Sequence, residues 1–283
     1  MHRERIKTGL SNGNANQPSV VLGSRILPDR RFIDVVGVLF ARALKTRYRG
    51  SVLGVLWSAL QPLGMSAVYA AIFGHTFAPY YGGSLITYGA AVYIGLTLAG
   101  FFIGGTTQAL PSIIANAGLL NKIRIPFAAF PLSIIAAYGF QQVVGSLPLI
   151  VLVSLAVNHN LLHVLLLVFP LCSLAMLSVG VGLFVSAACV YFRDVPYMYE
   201  LTTFFFWVTS PIFYPAQIVP HTILRIVAWN PLFSIIESAR VLVLTTMLPS
   251  AQSIALSLAT SGIVLVAGGL AFRLMRPNFM DLL

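Results

Sequence analysis

The sequence predicts an all-α polytopic membrane protein, with six transmembrane helices, an N-terminal amphipathic interface helix and short re-entrant helices before the last span. Three observations carry this expectation. Hydrophobic residues make up 58% of the 283 residues, and mean hydropathy is +0.89. Charged residues are only 8% of the chain, against about 25% in soluble domains. The charges are also segregated: Asp, Glu, Lys and Arg are all absent from Gly50 through Asn121 and again from Ile125 through Phe192. An ionised side chain at the bilayer centre costs about 2.5 to 3.5 kcal/mol on insertion scales, so charge is excluded from spans.

A formal charge of +10 would suggest a nucleic-acid partner in a soluble protein. Here most basic residues flank apolar segments, which reads as positive-inside topology with attraction to anionic membrane lipid, and no nucleic-acid partner is expected. Residues 1–28 hold no apolar run of about 7 to 15 residues of the kind a cleaved leader needs. They are expected to form a flexible cytoplasmic tail, and residues 29–283 a single membrane domain.

The interface helix is expected over residues 29–49. Asp29 follows Pro28 and can cap a helix starting at Arg30. Phe32, Ile33, Val36, Leu39, Phe40, Ala43 and Leu44 then share one face, while Arg30, Arg31, Asp34, Arg42, Lys45 and Arg49 share the other. Such a helix lies in the membrane surface, packed on the protein's cytoplasmic side, or both. Span one follows over about residues 52–77, long enough to cross a hydrocarbon core of about 30 Å. Pro62, after Gln61, removes a backbone donor inside it and is tolerated if a neighbouring helix satisfies the freed carbonyl.

Span two is expected over about 85–110, after the turn-like segment Ala78 to Ser84. Gly100 and Gly104 have the spacing that lets membrane helices approach closely. Lys122 and Arg124 place the loop from Ala115 to Pro126 in the cytoplasm. Spans three and four, about 127–157 and 161–191, are separated by an outside turn at Asn158, His159 and Asn160. Pro131, Pro148 and Pro170 suggest bent helices. Phe192, Arg193 and Asp194 mark a cytoplasmic turn, and a fifth span, about 197–214, ends at SPIFYP (Ser210 to Pro215).

Residues 216–247 are too proline-punctuated for a span and too apolar for a solvated loop, so one or two short re-entrant helices are expected. Asn230 and Pro231 fit an N-cap followed by proline in the first helical position. Glu237 and Arg240, three apart on that helix, are spaced to pair. A last span over about 251–274 closes with Arg273 and Arg276. This reading puts 15 of the 17 basic residues in the cytoplasm with both termini; only Arg225 and Arg240 fall outside.

The residues exclude several chemistries. No G-x-x-x-x-G-K-[ST] loop occurs, so any use of ATP requires a partner. No H-E-x-x-H or C-x-x-C pattern occurs, and His159 and His163 have no carboxylate near in sequence. Cys172 and Cys189 fall about 25 Å apart if they share one helix, too far for a mutual disulfide. Intramembrane acids, the usual mark of ion-coupled transport, are nearly absent apart from Glu200 near the start of span five. A membrane-embedded transferase would need acids or histidines clustered at the membrane surface, and none are clustered. Aromatics are plentiful: Tyr69, Phe73, Tyr88, Tyr93, Phe205, Trp207 and Tyr214 are candidates to line a path along which sugar rings slide. Interfacial belts and helix packing recruit the same residue types.

Five segments in order, RYRGSVLGVLWSALQPL with IFG at Ile72 to Gly74, GLLNKIRIPFAAFPLS, YFRDVPYMYEL, SPIFYP and NPLFSIIESAR, resemble the permease subunit of ABC type 2 exporters. Within these they are similar to the polysaccharide and polyol-phosphate export branch, which moves lipid-linked O-antigen, capsule or teichoic acid. The resemblance runs from about Arg30 to the C-terminus.

It implies a homodimeric permease of the bacterial cytoplasmic (inner) membrane, bound to two copies of a separate ABC ATPase that uses ATP and magnesium. The chain itself then needs no cofactor and is not an enzyme. Asn121, Lys122, Arg124 and Pro126 map to the loop that docks on the ATPase. Arg47, Tyr48 and Arg49 map to the interface helix that meets the head group of an undecaprenyl-type lipid-linked glycan. Arg193 and Asp194 map to the turn before span five, which orients helix ends or couples to the ATPase. The re-entrant segment maps to extracytoplasmic gate helices, with Pro211, Asn230, Glu237 and Arg240 as gate candidates. A small-molecule or drug exporter of the same type stays open, as it needs no continuous polymer path.

Overall fold

The computed structural model describes residues 30–120, 125–227 and 230–283, and among these every regular element is helical. The expected tail and the Asp29 cap lie outside the described residues. Five helical runs are long and apolar enough to cross a membrane: Gly54–Tyr81, Leu85–Ala109, Ala129–Asn158, Leu161–Tyr191 and Ala251–Leu282. The expected span over 197–214 is instead a helix of 15 residues, Val195–Thr209, about 22 Å long at 1.5 Å per residue. It stops at Ser210, which is extended at φ −86° and ψ 142°, because the Pro211 ring disfavours helical geometry in the residue before it.

The first helix, α1 (Arg30–Tyr48), packs along α5 (Ala129–Gln141), with Phe40 edge-on to Phe140 at 5.9 Å. Its apolar face therefore meets protein along much of its length, although Ile33 stays exposed. The next helices are α2 (Trp57–Phe77) and α3 (Leu85–Ala109), the latter capped by the Ser84 hydroxyl accepting from Thr87 N at 3.2 Å. A short α4 (Ala117–Leu120) precedes α5. A π-helical segment, Gln142–Ser146, then joins α5 to α6 (Leu147–Asn158).

The fourth crossing comprises α7 (Leu161–Leu166), capped by Asn160, and α8 (Val168–Tyr191). Then come α9 (Val195–Thr209), α10 (His221–Val227), α11 (Pro231–Leu244), α12 (Ala251–Met275) and α13 (Phe279–Leu282). Asn230 caps α11 through Leu232 N at 2.9 Å with Pro231 in the first position, as its sequence predicts.

Pro131 sits in the first turn of α5, where a missing N–H costs little because that amide has no intrahelical partner. Pro148 and Pro170 lie within the third and fourth helical runs, just after the π-helical segment and the break at Leu167 where those runs depart from regular α-helix. Pro62 lies inside α2. The Ser58 carbonyl it leaves without a helical donor accepts from the Ser146 hydroxyl at 3.1 Å, the rescue by a neighbouring segment that such a proline needs.

The core is built on α3. In its most apolar stretch 67% of residues are buried, against 11% for the run containing α2. Tyr88, Ile94, Leu98 and Phe102 of α3 pack with Leu174 and Leu177 of α8 and with Leu232, Ile235 and Leu242 of α11. The segment expected to be a re-entrant element is thus a core helix on one side. A second cluster, with Ile113, Leu120, Phe130, Val190, Phe272 and Phe279, ties the end of α3 and α4 to the C-terminal helices.

Within it Phe279 meets Phe127, Tyr191 and Phe272 edge-on. Helices α8 and α12 approach so closely that a Cβ on Gly268 would run into the Gly180 carbonyl. Of the pair on α3, Gly104 does serve close packing, against the Tyr138 ring, while Gly100 has open space beside it.

Candidate functional site

The segment after α9 is held from three sides. Arg240, 97% buried, donates from Nε to Ala91 O at 3.0 Å, from Nη2 to Ile212 O at 2.7 Å and from Nη1 to Tyr214 O at 3.3 Å. Tyr88 donates to Phe213 O at 2.8 Å, and the Asn230 amide donates to both Thr209 Oγ1 and Ser210 Oγ at 3.0 Å. This segment presses so closely on α3 that a Cβ on Gly95 would lie 2.6 Å from Ile212 O. Pro211 is buried in it.

The expected Glu237–Arg240 pairing is not made; no ion pair joins them among the described residues. Three carbonyls take the fork of guanidinium donors instead, which suits its planar geometry. Arg240 sits on the helix the Asn230–Pro231 start predicts, with its charge turned into the bundle. Glu237 lines a separate cleft of about 570 Å³ with Ser238 and Ser253, between α11 and the start of α12. His163 is buried with Nδ1 3.2 Å from Leu242 O, and Asn158 donates to the same carbonyl at 2.9 Å. These two groups satisfy the end of α11.

A chamber of about 400 Å³, lined by both apolar and polar side chains, lies between α2, α3, α9 and the π-helical segment. Gln141 and Gln142 form its wall, 95% and 93% buried, and their Nε2 atoms have no hydrogen-bond partner. Ser58, Thr97 and Ser146 contribute hydroxyls, and Phe101, Tyr138 and Trp207 contribute rings. Helix α2 reaches this segment closely because Gly145 stands where a Cβ would collide with the Ser58 hydroxyl. A buried amide without a partner costs about 1 to 3 kcal/mol; among the described residues Tyr93 Oη, Asn158 Oδ1 and Ser261 Oγ are buried without partners as well. Sequence reasoning passed over the Gln141–Gln142 pair; the signal was an adjacent amide pair inside an uncharged span.

At the rim Arg47 is exposed, its guanidinium 4.3 Å from the centre of the Tyr138 ring. It lines both this chamber and a second cavity of about 400 Å³ with Arg42, Gln108 and Asn116. Tyr48 is half-buried, and that burial pushes its hydroxyl up from the ordinary value, with Arg47 opposing. Arg49 is exposed at the turn that follows α1.

The other candidates are dispersed. Asn121, Lys122 and Arg124 lie outside the described residues, while Pro126 is half-buried beside them. Arg193 and Asp194 are exposed between α8 and α9; Asp194 stands at the N-cap, but its side chain caps nothing and only its carbonyl accepts, from Tyr197 N and Met198 N. Among the aromatics, Tyr69, Phe73 and Phe213 form a stack. Tyr88 and Tyr93 are enclosed in the core, Tyr214 is half-buried at the pinned segment, and Phe205 is 65% exposed.

Comparison with known proteins gives a consistent result. The family model described as ABC-2 type transporter matches residues 34–244. The O-antigen export system permease protein RfbA of Klebsiella pneumoniae is 28% identical over 255 residues, covering 88% of this chain and 95% of that protein. A permease of the same name from Myxococcus xanthus is 28% identical over 250 residues, covering 86% and 93%. The polysialic acid transport protein KpsM of Escherichia coli is 25% identical over 213 residues, covering 72% and 79%.

Proposed function

The chain belongs to the ABC-2 type transporter family, and from that premise we propose that it is the membrane subunit of an ATP-driven exporter of lipid-linked polysaccharide. O-antigen is the first cargo to test, with capsule polysaccharide and teichoic acid after it. The observation that carries this reading is the end-to-end similarity to permeases named for O-antigen export, 95% of whose length is matched. Relatives named for polysialic acid transport and for capsule polysaccharide export match less of their length.

In the working assembly two copies of this chain flank the polymer path in the inner membrane, and each binds one ATPase subunit. Helix α9 completes a six-span topology with both termini cytoplasmic. The loop carrying Asn121, Lys122 and Arg124 receives the ATPase stroke, and the anchored α4 transmits it to α3. Arg47, at the membrane-proximal end of α1, meets the pyrophosphate of the arriving glycolipid; a guanidinium suits that charge because its fork pairs two oxygens at once. The segment from Ser210 to Pro215 and helices α10 and α11 form the extracytoplasmic gate.

Deleting the gene in its native bacterium tests the function. Surface polysaccharide is expected to fall to background while lipid-linked polymer accumulates inside, and the tagged chain is expected to co-purify with a nucleotide-binding subunit. Unchanged surface polysaccharide would overturn the cargo, and absence of an ATPase partner would overturn the assembly. Replacing Lys122 and Arg124 with Glu should abolish export and leave assembly intact if the loop is the coupling element.

A further inference from the structure

We propose that Phe279 is a positioning residue for transport: it bridges the segment that joins α4 to α5 with the ends of α8 and α12, so that the ATPase stroke moves all of them as one body. The proposal rests on the exporter reading, in which the loop after α4 receives that stroke, and adds a second route for it beside the one through α3.

Phe279 is fully buried, although its own helix, α13, is otherwise exposed at Met280, Asp281 and Leu282. Its ring meets Phe127 edge-on at 5.3 Å, Phe272 at 5.6 Å and Tyr191 at 6.2 Å. The three come from different elements: Phe127 from the residues leading into α5, Phe272 from α12 and Tyr191 from the last position of α8. Among the described residues no ring pair joins any two of them, and Phe279 is the hub on which they converge. Leu120 of α4 belongs to the same cluster. The Tyr191 hydroxyl donates to Met275 O at 2.8 Å and ties the end of α8 to that of α12.

The form of α13 argues for a bridge rather than for one more core helix. Four residues are too few to hold a helix by themselves, because the costly first turn must be repaid by further bonds. Helix α13 is therefore placed by what Phe279 and Leu283 pack against. The bundle closes without it: α8 and α12 already meet backbone to backbone at Gly180 and Gly268, and the larger core lies around α3. What α13 adds is a contact between that bundle and Phe127. Packed rings pass a displacement on because a close-packed interior has little compressibility.

The test uses the full-length chain with its ATPase partner. Surface polysaccharide is measured in the native bacterium, and ATP hydrolysis and the unfolding temperature on the purified complex in nanodiscs. Phe279→Leu keeps an apolar side chain but loses the ring, and should cut surface polysaccharide at least tenfold while the partner co-purifies in normal amount and hydrolysis stays within twofold of wild type. Phe127→Leu should do the same, and because Phe127 is only half-buried it decides the matter if the Phe279 variant fails to fold. The two combined should be no worse than either alone, since both break one contact. Leu177→Ala in the larger core is the stability control: it should lower the unfolding temperature at least as far as Phe279→Leu and keep export in step with hydrolysis.

Wild-type export by both leucine variants would overturn the bridge. So would a parallel fall of export and hydrolysis, equal uncoupling by Leu177→Ala, or multiplied losses in the double variant, which would assign the effect to stability or to separate contacts. A wild-type preparation without an ATPase would defeat the exporter reading and the bridge with it, whereas co-purification together with coupled export by the leucine variants defeats the bridge alone.

Discussion

Arg240 and the Gln141–Gln142 pair are buried polar groups in the same bundle, and the fold treats them oppositely. Arg240 spends its guanidinium on three carbonyls and fixes the segment after α9 onto α3. The Nε2 atoms of the two glutamines are enclosed and have no hydrogen-bond partner. In a low-dielectric interior a satisfied network holds one arrangement in place, while an unsatisfied amide is a standing cost. The difference separates a structural pin from a standing cost, and it can be measured.

The largest effect should come from Arg240→Leu. Three carbonyls lose their donor, and at about 1 to 3 kcal/mol each for those left buried the variant should lose several kcal/mol, read as the unfolding temperature of the purified chain in nanodiscs. Arg240→Lys should recover only part of this, because an ammonium cannot reproduce the planar fork; full recovery would show that charge rather than geometry holds the segment. Gly95→Val comes next. Its branched side chain would press on Ile212, so a loss of about 1 to 3 kcal/mol is expected, with changed Trp207 fluorescence as the segment moves.

Asn230→Ala removes the α11 cap and two bonds to Thr209 and Ser210, and should cost about 1 to 2 kcal/mol. Tyr88→Phe removes one bond to Phe213 O and should cost about 0.5 to 1.5 kcal/mol. At the other end, Gln142→Leu should leave stability unchanged or raise it slightly, since replacing an unpartnered buried amide by an apolar group relieves its desolvation cost. A loss as large as that of Arg240→Leu would erase the distinction.

The relation between chain and fold follows the same division. The Asn230–Pro231 start of α11 was legible because capping is a local event, decided within a few residues. The freed carbonyl at Ser58 was foreseeable as a need, but its donor, Ser146, lies 88 residues away. The Glu237–Arg240 pairing failed because spacing along a helix only makes contact possible. Carbonyls of α3 and of the segment after α9 offered Arg240 better geometry. Helix α9 does stop at Ser210, inside the SPIFYP segment where the sequence expects the end, because that stop too is local to the Ser210–Pro211 step. The glutamine pair was overlooked because amides carry no charge and leave the hydropathy pattern of span three intact.

The sequence by itself determined that the chain is helical and membrane-embedded, where its long apolar runs lie, and which family it resembles. Those properties follow from transferring each segment between water and lipid, a free energy that depends on the segment's own composition. Only the tertiary structure decided that Arg240 reaches Ala91, 149 residues away, and that Ser58, Thr97 and two glutamines enclose one chamber. Hydrogen-bond partners in a bundle are fixed by which helices pack side by side and at what rotation, and that is a property of the assembled helices rather than of any one of them.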